Sequence, residues 1–137
     1  HPVKEKEINE GRKRIDVVMD NSATAGFFHR LHDIQKIPSG YALIECKNYT
    51  NDIENPELDQ LSGRMSVNSR MFGMLFCRDL KDRDLAKKRC IDFWKDKREL
   101  MIVVTDIEVL KWLDDIIINP NDILKDLEDK QKEIIMS

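Results

Sequence analysis

The sequence predicts an α/β protein in which a mixed β-sheet is flanked by helices. Two observations point there. Short strand-favouring runs alternate with longer segments of helical spacing through most of the chain. The first two strand runs are separated by only a turn, so an antiparallel pair precedes the alternating part, and such a mixture gives a sheet of mixed direction.

Val3 to Asn9 and Arg14 to Asp20 read as two strands around a Glu10-Gly11 turn. The second is the stronger, because Ile15-Asp16-Val17-Val18-Met19 is rich in residues that suit a pleated surface. In the next stretch Phe27, Phe28, Leu31 and Ile34 have helical spacing, and Pro38-Ser39-Gly40 breaks the chain. Tyr41 to Tyr49 reads as a central strand. Asn55-Pro56 starts a helix, with Leu58, Leu61 and Met65 on one side and an end near Arg70. Met71 to Cys77 is a strand, and Asp82 or Asp84 caps a helix whose inner side is Ala86, Cys90, Phe93 and Trp94. Leu100 to Thr105 is a last buried strand. Asp106 caps a helix carrying Val109, Leu110, Leu113 and Ile117, stopped by Asn119-Pro120. The final helix, Asp122 to about Met136, aligns Leu124, Leu127, Gln131 and Ile134. The domain is expected to comprise a core over 1–118 and a helical extension over 119–137, so that the sheet carries an added C-terminal helix pair.

With 137 residues, 41% hydrophobic and 36% charged, the chain is of single-domain size and neither disordered nor membranous in composition. Its longest apolar run, Leu100 to Val104, is far short of the ~20 residues of a membrane helix. It begins His1-Pro2 rather than with Met, which suggests a domain excised from a longer chain. Cys46, Cys77 and Cys90 are scattered and odd in number; they read as small buried hydrophobes in a cytoplasmic protein. The net charge of −3 is uneven. From Asp106 onward there are nine acidic residues against four lysines, leaving 17 acidic and 19 basic residues before it. A mildly basic body thus precedes an acidic tail, which permits a local phosphate-binding face.

Charges inside an otherwise apolar strand are costly unless they are used. Glu45 and Lys47 flank Cys46 in the central strand, and residues two apart share a face at about 6.6 Å. Asp16 is the matching oddity between Ile15 and Val17. If these strands pair, Asp16 faces Glu45, and two repelling carboxylates favour a hard divalent cation with oxygen ligands. The Cys46 backbone carbonyl is a further ligand for such a metal. Lys47 lies over the same spot, placed to orient or deprotonate a water and to offset charge on a phosphate.

Gly11-Arg12-Lys13-Arg14-Ile15-Asp16, then Ile44-Glu45-Cys46-Lys47-Asn48-Tyr49 on a strand, then the helix from Asn55, resemble the PD-(D/E)xK superfamily of restriction-endonuclease-like nucleases. The resemblance spans roughly Glu5 to Thr105 and is to the restriction and anti-phage-defence branch. It implies Asp16 and Glu45 as ligands of Mg²⁺ (or Mn²⁺), Lys47 as the catalytic lysine, and Gln60 beside the site. It departs from the family pattern where Ile15 replaces the proline before Asp16. Many relatives bring a further glutamate from an N-terminal helix, whereas here Glu5, Glu7 and Glu10 sit in a strand and turn; the resemblance does not place that acid, and Glu7 is the weaker metal candidate.

The function so expected is metal-dependent hydrolysis of DNA phosphodiester bonds, with RNA a second substrate class that suits the same residues. The alternative is a catalytically inactive nucleic-acid-binding or assembly domain of the same fold. Arg12, Lys13 and Arg14 lead into Asp16 where a nucleic-acid backbone would pass, with Arg64 and Arg70 as weaker phosphate contacts. His29 and His32, beside Asp33, read as a surface pair rather than a metal site. The C-terminal helix is expected to dock other domains or a second subunit through its apolar stripe, and no membrane partner is expected.

Overall fold

The computed structural model describes the backbone of residues 2–5, 8–9, 12–13, 15–47 and 55–137, with side chains described at 17–47 and 57–137. Strand β1 (Pro2–Glu5) pairs antiparallel with β4 (Ile15–Asp20), and between them β2 (Ile8–Asn9) pairs with β3 (Arg12–Lys13). This is the expected hairpin, divided into a sheet edge and a small separate ribbon. The Glu10-Gly11 turn lies outside the described residues.

Strands β5 (Tyr41–Cys46), β6 (Phe72–Cys77) and β7 (Leu100–Thr105) complete a five-stranded sheet in the order β1-β4-β5-β6-β7. β4 runs antiparallel to β5, whereas β5, β6 and β7 run parallel. Parallel strands need crossovers, supplied by α2 (Asn55–Ser62) and α3 (Arg83–Lys97). β6 and β7 are buried on both faces, which explains their unbroken apolar sequences.

The two faces are filled differently. On one, α2 and the turn after it press Leu61 and Met65 against Gly73. A Cβ there would stand 3.1 Å from Leu61 Cδ1 and 3.2 Å from Met65 Cε, so any side chain would require both to give way by a few tenths of an ångström. On the other, Phe27 and Phe28 make edge-on contacts with Phe72, their ring centroids 5.9 and 6.1 Å from it. These two phenylalanines come from α1 (Gly26–His29), which runs into a π-helical segment, Arg30–Ile34. The wider turn, closed by Gln35 N–H donating to Arg30 O at 2.7 Å, keeps Leu31 buried but leaves Ile34 63% exposed. Helical spacing alone placed Ile34 inside, so this is a correction.

Three more expectations change. Helix α2 ends at Ser62 rather than near Arg70, because Gly63 weakens it. Tight turns follow, and a bridge between Ser66 and Arg70 reverses the chain. Helix α4 (Asp106–Asp115) is capped by Thr105, not Asp106: Thr105 N–H and hydroxyl both donate to Glu108. Its inner side is Trp112, with Val109 half-buried, while Leu110 and Leu113 face solvent.

Helix α5 (Asp122–Ile135) does bury the stripe read from the sequence, but within the chain's own core. Leu127, Gln131 and Ile134 are buried, and the helix packs on α1, α3 and β7. Trp112 Nε1 donates to Asp126 at 2.7 Å and ties α5 to α4. The apolar surface expected on α5 as a docking element is therefore already covered, and the exposed stripe belongs to α4. Among the described residues no helix is long and apolar enough to cross a membrane.

Candidate functional site

The site is organised by β5. Alternation along the strand turns Leu43, Glu45 and Lys47 towards the α2 side, and all three are buried. Lys47 lies one residue past the strand, yet its N–H donates to Phe76 O at 2.8 Å. That bond extends the parallel pairing with β6 and holds the lysine on the same face as Glu45.

Glu45 is 1% exposed and Lys47 is 7% exposed. The Lys47 ammonium lies 3.1 Å from Glu45 Oε1 and donates to Gln60 Oε1 at 3.3 Å. Charges so deeply buried are tolerated only as partners. Gln60 comes from α2, so the seating of α2 over Gly73 decides whether the amide reaches the amine.

The register of β4 against β5 sets Asp16 opposite Glu45. Positions directly opposite in an antiparallel pair share a face with Cα atoms about 4.5–5.5 Å apart. Position 16 therefore belongs to the face that carries Glu45 and Lys47. The structure thus gathers Glu45, Lys47 and Gln60 by direct contact and brings Asp16 alongside by strand register.

The remaining sequence candidates are placed less centrally. Arg12 and Lys13 lie in β3, opposite Asn9 and Ile8, in the ribbon that leads into β4. Glu7 and Arg14 lie outside the described residues. Arg64 and Arg70 are half-buried in the turns after α2. His29 and His32 have separate partners: His29 Nδ1 is 2.8 Å from Asp33, and His32 Nδ1 accepts from Ser39 N–H at 3.1 Å. They hold the loop before β5 and do not converge on one another's partner.

Cys46 is exposed, not buried as its sequence setting suggested. It faces the other side of the sheet, close to the sheet's end, where packing stops. One residue escaped the sequence reading: Glu57, in the first turn of α2, is 9% exposed. It precedes Gln60 by three residues and so lies on the same side of the helix. A buried acid at that spacing was the signal available.

Among the described residues no three His, Cys, Asp or Glu side chains form a ready metal cluster. The donors at hand are the Glu45 carboxylate, the position of Asp16 and the backbone oxygen of Cys46. This set suits a hard cation rather than zinc or copper. No protein-family model, no curated protein and no solved structure matches the chain.

Proposed function

We propose that the chain is a phosphodiesterase domain of restriction-endonuclease-like fold that hydrolyses DNA with the help of a divalent cation. One observation carries the reading: a buried lysine–glutamate pair at the end of β5, joined by Gln60, with an aspartate in register on the neighbouring strand. A structural ion pair needs one acid for one lysine. Here a second acid sits opposite the first, and like charges directly opposite across strands are destabilising. Two acids in register on neighbouring strands beside a buried lysine are an arrangement that a divalent cation would bridge.

The residues fit Mg²⁺. Asp16, Glu45 and the Cys46 carbonyl would hold it, and when bound it supplies Lewis-acid neutralisation of a phosphate oxygen. The chain's own groups do the rest. Lys47, fixed by Glu45 and Gln60, presents an amine that orients the attacking water and offsets negative charge on the phosphate. Gln60 limits the directions in which that amine can point. Arg12 and Lys13 precede Asp16 on the ribbon and offer cations to a passing phosphate backbone.

The test is plasmid cleavage with Mg²⁺ or Mn²⁺ and with chelator, run in parallel with an RNA substrate. Lys47→Gln is the informative variant because it removes the amine while leaving a hydrogen-bond donor for Glu45. Asp16→Asn removes only charge. Each is expected to lower the cleavage rate by about 100-fold or more, with an unchanged circular dichroism spectrum. Failure of the parent protein to cut either nucleic acid, or cleavage undiminished in both variants, would overturn the proposal.

A further inference from the structure

Helix α4 is apolar on two sides. The inner side is occupied by Trp112 and Val109 against the chain's own core. The outer side carries Ile107, Leu110 and Leu113, exposed at 68%, 60% and 58%. The turn after the helix extends the stripe with Ile117 and Ile118, exposed at 90% and 86%. Spacings of three and four place Ile107, Leu110, Leu113 and Ile117 along one side. A monomer rarely shows a contiguous apolar patch above a few hundred Å². Five side chains this exposed present on the order of 600 Å², near the roughly 800 Å² that each partner of a standard interface buries.

We infer that this stripe is the contact between two copies of the chain, packed antiparallel about a two-fold axis. The charges specify the arrangement. Lys111 is the one basic residue of α4, and Asp114, three residues on, lies towards the same flank of the stripe. Both are exposed, and among the described residues neither takes part in an ion pair. In an isologous antiparallel pair each flank meets its own copy with direction reversed. Leu110 then packs on the partner's Leu113 and Ile107 on the partner's Ile117, while Lys111 comes beside the partner's Asp114. The symmetry makes that ion pair twice. A parallel pairing about an axis along the helices would instead set each flank against the opposite flank of its copy, leaving Lys111 and the partner's Asp114 on different sides of the seam. This inference is independent of the nuclease reading.

Sedimentation equilibrium from micromolar to several hundred micromolar protein tests it. The mass is expected to rise with concentration from 16.1 kDa to twice that value. Leu110→Glu combined with Leu113→Glu should remain monomeric throughout while keeping the parent circular dichroism spectrum, since both side chains lie outside the core. Lys111→Glu should weaken association by about tenfold, and adding Asp114→Lys should restore it. A parent protein that stays at 16.1 kDa at every concentration overturns the inference. So does a dimer indifferent to the leucine substitutions. A charge swap that fails to restore association overturns the antiparallel arrangement.

Discussion

Glu45 and Cys46 are neighbours in sequence and lie in opposite environments: the carboxylate is buried under α2 and the thiol is exposed. The other two thiols are enclosed. Burial pushes Cys90 up to about 12; nearby Lys130 opposes this. Burial also pushes Cys77 up to about 11, reinforced by the negative charges of Asp106, Glu108 and Asp79 and opposed by Arg83. Thiolate is the reactive form, so both are inert in the folded chain at pH 8. Iodoacetamide should therefore modify Cys46 alone under native conditions and all three cysteines after unfolding, as read by intact mass. The same shifts set a pH dependence. Both folded values exceed the ordinary 9.0, so thiolate forms more readily in the unfolded chain. Their contribution to stability is complete below pH 9 and is lost as pH rises towards 11 and 12. The urea midpoint should fall between pH 8 and pH 10, and Cys90→Ala should flatten that fall. The carboxylates and lysine of the site were legible in the sequence because charge inside an apolar strand is conspicuous. Cys46 was misread because sequence cannot tell how far along a strand the covering layer reaches.

At the scale of elements, α2 sits close over β6 at Gly73. Gly73→Ala gains a little backbone stiffness, but the added methyl meets Leu61, itself only 1% exposed and unable to yield. Overpacking of this kind costs about 1–3 kcal/mol. A net loss near 1 kcal/mol is expected in urea unfolding, together with a lower rate of the proposed phosphodiester cleavage as Gln60 is carried away from Lys47. Unchanged stability with full activity would show that α2 can shift without consequence. The parallel strands were legible because burial on both faces leaves unbroken apolar runs, as in Leu100–Thr105. Two helices were not. The π-helical widening at Arg30–Ile34 changes which residues align, and no residue pattern announces it. Helix α4 offers two apolar sides, Val109–Trp112 and Leu110–Leu113, and spacing alone does not choose between them. The structure chooses the side with the tryptophan, whose ring fills more of the space beneath and whose N–H finds Asp126.

For the molecule as a whole, the basic and acidic parts of the sequence are not separate bodies. The acidic last helix packs on α1, α3 and β7 and places Leu127 and Ile134 in the same core as Phe72 and Ile102. Arg30 pairs with Glu128, Arg83 with Glu108 and Lys87 with Glu133, so part of the charge difference is cancelled across the helix contacts. A chain ending at residue 121 should consequently lose cooperative unfolding and bind a hydrophobic dye, rather than persist as an intact core. An undiminished two-state transition in that truncated chain would make α5 dispensable. The bond between Trp112 and Asp126 also gives the protein an optical gauge of its own assembly. While α5 is seated, the indole of Trp112 is shielded and emits at short wavelength; its release moves that emission to the red. Trp94 on α3, with the Arg98 guanidinium over its ring, contributes the background to that signal.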